Sequence, residues 1–457
     1  MRNIGPVVWL ASVLASGSAL AQNETPKMEA APAPAAAPAE PVAPEKAAPV
    51  AVEPPVDATA ARLGKVEAKT QELEKSNNDA KALLDKTSKL KFSGFVQGRY
   101  EWHDDSVNGW DYNAKPTTAT PPGNAASSSK STFYIRRARL DTNYFGTNAE
   151  FVLQLDAGGD TVALRDAEAA FIDTWTPAHL RISVGQFKYP FGFEIQQSDT
   201  AREMPERSRM IQQFFAGERD RGLKIQGRYE MLRFQVALVN GNGIQDPIFK
   251  AGKDSNAWLD VVGRVGVDFG TIVGGVSGYY GADELYNPSY NANTNPDTNP
   301  LNLKKYSRVR VGADLQGYID VPNLGILSLR GEIIYSRDKN KAYNGVDADS
   351  CQDRIGLGWS LIAAQNFGQY IGAVVRVDSY DPVLRSTLDA GKCAGTADKP
   401  AAAYVSAGKD RVITYGGGGL VNVSQNLRLT LVYEHPTEQD GAKVNNDIFT
   451  AQLMAKF

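Results

Sequence analysis

The residues of this sequence best suited to chemistry are basic. Arg137 and Arg139 stand two apart, Arg181 follows, and Lys188, Arg202, Arg207, Arg209, Arg219, Lys224 and Arg228 come after within one stretch. A guanidinium keeps its charge at physiological pH, and its planar fork grips a phosphate or carboxylate through two parallel hydrogen bonds. Acids are interleaved with these bases: Glu194, Asp199, Glu203, Glu206, Glu218 and Asp220 fall between 188 and 228, leaving the stretch only slightly positive. Bond-breaking chemistry finds no support. The 3 histidines, His103, His179 and His435, are far apart, and none is followed by a nucleophile at a recognisable spacing. No Gly-x-Ser-x-Gly, phosphate loop or paired-cysteine metal motif occurs. The sequence predicts no enzyme, no cofactor and no metal site, and leaves small anions as the matching ligands.

The elements that must position these residues are strands. From Leu90 to Phe457 the hydrophobic period is two, which puts alternate side chains on opposite faces. Leu180, Ile182 and Val184 alternate with Arg181, Ser183 and Gly185. Val309, Val311, Ala313 and Leu315 alternate with Arg308, Arg310, Asp314 and Gln316, and Ile371, Ala373, Val375 and Val377 with Arg376 and Asp378. About sixteen such segments can be counted, an even number that suits a closed antiparallel barrel with an aqueous lumen. They lie near 91–102, 131–145, 147–157, 162–175, 178–189, 220–230, 231–240, 256–269, 270–281, 303–318, 325–338, 352–364, 367–380, 409–423, 425–435 and 445–457. The connections sort by length. Those after even-numbered strands are short, as at Gly146-Thr147 and Gln425-Asn426, whereas those after odd-numbered strands include 103–130, 190–219, 282–302 and 381–408. Short turns at one end and long loops at the other are the layout of an outer-membrane barrel. A charge facing hydrocarbon is costly, so the apolar face should meet lipid and the charged face should line water. A soluble β-sandwich would not segregate its loops in this way.

The residues before the barrel divide into three segments. Arg2, an apolar run from Val7 to Leu14 and Ala19-Leu20-Ala21 read as a signal peptide, 1–21, cut after Ala21. Residues 22–57 are rich in Ala, Pro and Glu with few large apolar groups, and read as an extended, disordered linker. Within 58–88, Leu63, Val66, Thr70, Leu73, Asn77, Ala80 and Leu84 alternate in threes and fours. That spacing predicts a short coiled-coil helix, with Asn77 fixing register; a lone solvated helix is the other reading. Cys351 and Cys393, the 2 cysteines, fall in predicted external loops, where an even count invites a disulfide; two separate thiols are the alternative. The net charge of −3 leaves no basic field for nucleic acid.

The order of motifs between 131 and 228 resembles the family of phosphate-selective porins O and P. Tyr134-Ile135-Arg136-Arg137-Ala138-Arg139-Leu140 is similar to a strand common in that family. Gly185-Gln186-Phe187-Lys188-Tyr189-Pro190-Phe191-Gly192 resembles its strand leading into the third loop, and Glu206-Arg207-Ser208 with Gly217, Arg219 and Gly222 the motifs that follow. Phe457 is similar to the C-terminal aromatic by which the barrel assembly machinery recognises its clients. The resemblance implies a homotrimer whose third loop folds into the lumen and narrows it. Independently, 190–219 joins the fifth and sixth predicted strands and is the third external loop, and Phe191, Phe193, Ile195, Ile211, Phe214 and Phe215 within it need a surface to pack on.

Among the proposed lumen positions, bases and acids are nearly equal in number, with Asp141, Asp166 and Glu168 close enough in strand order to neutralise Arg137 and Arg139. The expected function is therefore passive diffusion of small hydrophilic solutes with a mild anion preference, phosphate or polyphosphate among them. The alternative is an unselective diffusion porin that also tethers the envelope through its N-terminal linker and coil. The expected setting is bacterial outer-membrane lipid, with the N-terminal segment periplasmic.

Overall fold

The structure is a computed structural model that describes residues 65, 68–79, 81, 88–104, 130–158, 161–244, 258–285, 304–339, 352–388, 411–438 and 446–457. The signal peptide, the linker, Cys351 and Cys393 lie outside the described residues. Residues 68–79 are helical and exposed, Leu73 among them, and belong to a unit separate from the strands.

Sixteen strands follow: β1 (Leu90–His103), β2 (Lys130–Phe145), β3 (Ala149–Asp156), β4 (Ala163–Ile172), β5 (Arg181–Lys188), β6 (Arg219–Tyr229), β7 (Leu232–Val239), β8 (Asp260–Asp268), β9 (Ile272–Leu285), β10 (Lys304–Val321), β11 (Gly325–Lys339), β12 (Gln352–Phe367), β13 (Ile371–Leu388), β14 (Val412–Ser424), β15 (Leu427–Glu438) and β16 (Ile448–Lys456). Each is antiparallel to its sequence neighbours, and β1 pairs with β16 from Phe95–Lys456 to His103–Ile448, so the sheet closes on itself. The expected strand number and all-β barrel class are borne out. One short helix, α1 (Arg209–Phe214), lies in the connection between β5 and β6.

The two faces divide as the alternation requires. Val184, Val276, Val311, Leu315, Leu361 and Val375 are more than half exposed on the outer face. Arg264, Asp314, Arg330, Glu332, Arg376, Asp378 and Glu434 are buried on the inner one. Inner charges are paired across the wall: Arg264 of β8 donates to both oxygens of Asp314 on β10 at 2.9 and 2.6 Å. Gly275 of β9 makes room for this reach, since a Cβ there would stand 2.8 Å from the guanidinium carbon.

Alternation breaks at doubled apolar residues, and the breaks have a cause. Val262, Ile334, Ile362 and Val374 are apolar yet face inward, each beside an outward apolar neighbour (Val261, Ile333, Leu361 and Val375). They are covered by residues of the β5–β6 connection. Phe187, Tyr189, Phe191, Ile195, Met210, Ile211, Phe214 and Phe215 form one buried cluster with Ala237, Val239, Val262, Tyr279, Ile334 and Tyr380 of the wall. Phe193 and Met204 form a second with Ile362, Ala364, Val374, Leu420 and Val432. Glycines in the wall supply the depth. A Cβ at Gly312 would meet the Phe191 ring at 2.7 Å, and one at Gly358 would stand 2.4 Å from the Cβ of Met210.

The outer face carries a direct expectation. Val311, 54% exposed near the middle of β10, should tolerate Ile but lose about 2–4 kcal/mol of unfolding free energy on Val311→Arg, measured by urea unfolding of the barrel in vesicles. Gly358→Val forces α1 off the wall or overpacks it at a cost of about 1–3 kcal/mol. Limited proteolysis should then cut within 189–218 faster than in the parent chain.

Candidate functional site: a basic wall held by loop carboxylates

The basic side chains of β1 and β2 converge on two loop carboxylates, Glu206 and Asp199. A β-bulge begins this arrangement: β1 and β2 pair at Gln97–Arg137 and next at Gly98–Ile135, leaving Arg136 as the extra residue. The bulge lets consecutive arginines reach one partner. Glu206 accepts from Arg136 at 2.7 Å, lies 2.9 Å from Arg99 and 3.3 Å from Arg137. Asp199 is held in the same way by Arg139, by Arg202 at 2.6 Å and by Arg207 at 3.0 Å. Arg139 also contacts Asp156 at 2.7 Å, and Arg207 contacts Glu218 at 2.6 Å.

Other anchors tie the segment 189–218 to the remaining wall. Glu332 of β11 accepts the backbone N–H groups of Phe193 and Glu194 at 3.2 and 3.0 Å. Asp378 of β13 accepts that of Arg209 at 3.2 Å. Arg376 and Arg428 donate to the carbonyls of Glu206 and Arg202, both at 2.7 Å, and Arg330 pairs with Glu203 at 2.7 Å. Within the loop, the Glu194 carboxylate accepts the Ser208 N–H and hydroxyl. The Arg207 guanidinium donates to the carbonyls of Glu194 and Gln197 at 2.9 and 3.1 Å.

The sequence-predicted residues thus fall into groups. Arg139, Arg202, Arg207 and Arg219 join one network through Asp199 and Glu218, and Arg137 belongs to the neighbouring cluster on Glu206. Arg219 donates to Asp166 at 2.8 and 3.0 Å and lies 3.6 Å from Glu218. Arg181 and Lys224 form a second group around Glu168, at 2.8 and 3.3 Å. Lys188 donates to the Gln197 carbonyl at 3.0 Å and has no carboxylate partner among the described residues. Arg209 is half-buried at the start of α1, and Arg228 is exposed near the end of β6. The expected neutralisation of Arg137 and Arg139 by Asp141, Asp166 and Glu168 is corrected. Asp141 accepts from Gln154, Asp166 serves Arg219, and Glu168 serves Arg181 and Lys224. Strand order could suggest only wall neighbours, whereas the carboxylates of Asp199 and Glu206 arrive from a loop distant in register. Arg136 was missed for a related reason, since strict alternation points it outward and only the bulge turns it in.

Charge does not balance locally. Arg99, Arg136, Arg137, Arg139, Arg165, Arg202, Arg207 and Arg219 share Glu206, Asp199, Asp156, Glu218 and Asp166, so eight cations meet five carboxylates. Across the lumen, Glu332 and Glu194 have backbone N–H or hydroxyl donors but no cation among the described residues. A cavity of about 250 Å³ lies against the basic side, lined among others by Arg139, Lys188, Arg219, Asp141, Asp166 and Asp199.

Residues 108–253 match the model of the family of phosphate-selective porins O and P. That span runs from before β2 to past β7 and includes the whole basic cluster apart from Arg99, so the resemblance is borne out where its motifs lie. No curated protein matches the chain. Among solved structures, the outer-membrane channel DcaP of Acinetobacter baumannii is 12% identical, with 80% of this chain and 97% of that one covered and a TM-score of 0.52. A loop L8 deletion mutant of OmpT, an outer-membrane protein of Vibrio cholerae, is 9% identical over 80% and 99%, with a TM-score of 0.50. At these identities the likeness is one of fold, a porin-like barrel.

Burial alone would raise the Glu206 carboxyl, but Arg136, Arg137 and Arg99 outweigh it and hold the group well below its ordinary 4.5. Burial is likewise overridden at Asp199, where Arg202, Arg137, Arg207 and Arg139 hold the carboxyl well below 3.8. Folded values below the unfolded ones mean that this stabilisation is complete above the ordinary carboxylate range and is lost as pH falls toward the folded values. The parent chain should therefore loosen on acidification from about pH 4.5 downward, followed by protease access to 189–218. Glu206→Gln leaves three guanidiniums without their shared carboxylate, costs about 3 kcal/mol at neutral pH, and makes the acid slope shallower in the same assay.

Proposed function

We propose that this chain is an outer-membrane porin through which small hydrophilic solutes diffuse passively, with a mild preference for anions, phosphate among them. The observation that carries the preference is the surplus of guanidiniums over carboxylates in the ion-paired clusters around Glu206 and Asp199, together with Lys188, which lines a cavity and has no ion pair among the described residues. A cation lacking an intramolecular counter-ion attracts a mobile one, and a low-dielectric wall strengthens the pull. Partial neutralisation by Asp199 and Glu206 keeps the attraction moderate, which lets an anion leave as well as enter.

The same reading places the barrel as a homotrimer in outer-membrane lipid, delivered by the assembly machinery through Phe457. The N-terminal segment is then periplasmic. The exposed Leu73, on a helix whose apolar spacing is that of a coil, favours pairing with copies of the same helix.

Reversal potentials in a potassium chloride gradient test the preference directly. The parent channel should favour chloride, and a cation-selective result would sink the proposal. Lys188→Gln should move the reversal potential toward the cation side. One unit charge acting over about 8 Å through an effective dielectric of about 60 contributes about 0.7 kcal/mol, or a factor of about three in anion partition.

A further inference from the structure

Arg310 stands apart from the basic cluster. On β10 its register partner is Ser336 of β11, and Ser336 in turn pairs with Gly356 of β12, so the three form one row across the inner wall. The Arg310 side chain is boxed by rings, with its guanidinium carbon 4.6 Å from the centroid of Phe215, 5.3 Å from Tyr279 and 5.7 Å from Phe214. The residue is only 8% exposed, and it has no ion pair among the described residues. Its buried Nε has no hydrogen-bond acceptor. Every other buried arginine of the lumen named so far has a carboxylate or carbonyl partner, so this one asks for an explanation.

Aromatic rings explain half of it. They attract the face of a guanidinium through their quadrupoles, but its N–H groups point outward in its own plane and need an acceptor there. Beside Arg310 lies a cavity of about 160 Å³, bounded also by Ser336, Asp338, Gly356 and Tyr380 of the wall, by Phe214 of α1, and by Pro382. A space of this size is near the roughly 150 Å³ that holds one benzene-sized molecule. Its lining is mixed. Arg310 with the hydroxyl-bearing Ser336 and Tyr380 suits an anionic head, while Phe214, Pro382 and the bare Gly356 suit a short apolar body. Asp338 does not cancel the charge on Arg310 alone, because Arg308 is its register partner and lies on the same face.

We propose that this cavity is a binding site for a small monocarboxylate, whose head is gripped in the plane of the Arg310 guanidinium. Ser336 and Asp338 are among the last residues of β11 before its long-loop end. It is a second station, distinct from the cavity beside Lys188, and the inference rests on the reading of the chain as a channel.

The test uses the full chain in planar bilayers with potassium chloride on both sides and sodium propionate as the probe. Propionate should reduce the chloride current saturably. Arg310→Gln should raise the half-blocking concentration about tenfold, the equivalent of one charge-assisted hydrogen bond. Ser336→Val leaves Arg310 and its aromatic box in place but fills the cavity, and it should weaken the block in the same direction. Equal block in the parent and both variants, or none in the parent, overturns the site. The chloride reversal potential, read on the same channels before propionate is added, reports the channel reading separately. Anion preference without block removes the site alone, and Arg310-dependent block in a channel without that preference upholds the site and removes the preference.

Discussion

A sheet that crosses hydrocarbon cannot leave an edge, because no water is present there to satisfy a strand's unpaired N–H and C=O groups. The pairing of β1 with β16 removes that edge, and most other features of the molecule follow from it. Closure fixes which face of each strand meets lipid, so the outer positions must be apolar and the charged residues must turn inward. It also creates an interior too wide for wall side chains alone to fill. The segment 189–218 occupies part of that interior, and the inner wall is shaped to receive it.

Two kinds of contact hold the segment, and each would be unsound without the other. Apolar packing of Phe191, Met210, Phe214 and Phe215 on Val262, Ile334 and Tyr380 supplies water exclusion but little direction. Ion pairs at Glu206 and Asp199 supply direction, yet a buried guanidinium is costly unless its partner is well placed. Packing seats the loop so that its two carboxylates arrive among the arginines of β1 and β2. The wall glycines complete the fit, because Gly312 and Gly358 leave the recesses that Phe191 and Met210 enter.

The barrel was legible because it obeys a period. Alternation and the sorting of long and short connections mark all sixteen strands, and their ends move by four residues or fewer except at β13, which runs on from the expected 380 to Leu388. The interior was legible only in composition. Lys188, Arg202, Arg207 and Arg219 stood out by type, but their partners are set by where a loop lands, and no spacing along the chain encodes that. Arg136 illustrates the limit, since it is itself the extra residue of a bulge opposite Gln97 and Gly98, which reverses its side. A usable signal did exist. The doublets Val261-Val262, Ile333-Ile334, Leu361-Ile362 and Val374-Val375 break the alternation where the wall is covered rather than wet, and they would have traced the loop's footprint on β8, β11, β12 and β13.

The same arginines serve two ends that compete. A guanidinium fully paired with Asp199 or Glu206 anchors the loop but offers a passing ion little net charge. One left without a carboxylate draws anions but must be sheltered in some other way. The molecule resolves this unevenly across its lumen. Around Glu206 and Asp199 eight guanidiniums share five carboxylates, so anchoring is strong and a residual positive charge survives. On β10, Arg310 has no carboxylate partner among the described residues and is sheltered by the faces of three rings instead. Opposite them, Glu332 holds the loop through the backbone N–H groups of Phe193 and Glu194, so that side anchors the segment without drawing on the arginines at all.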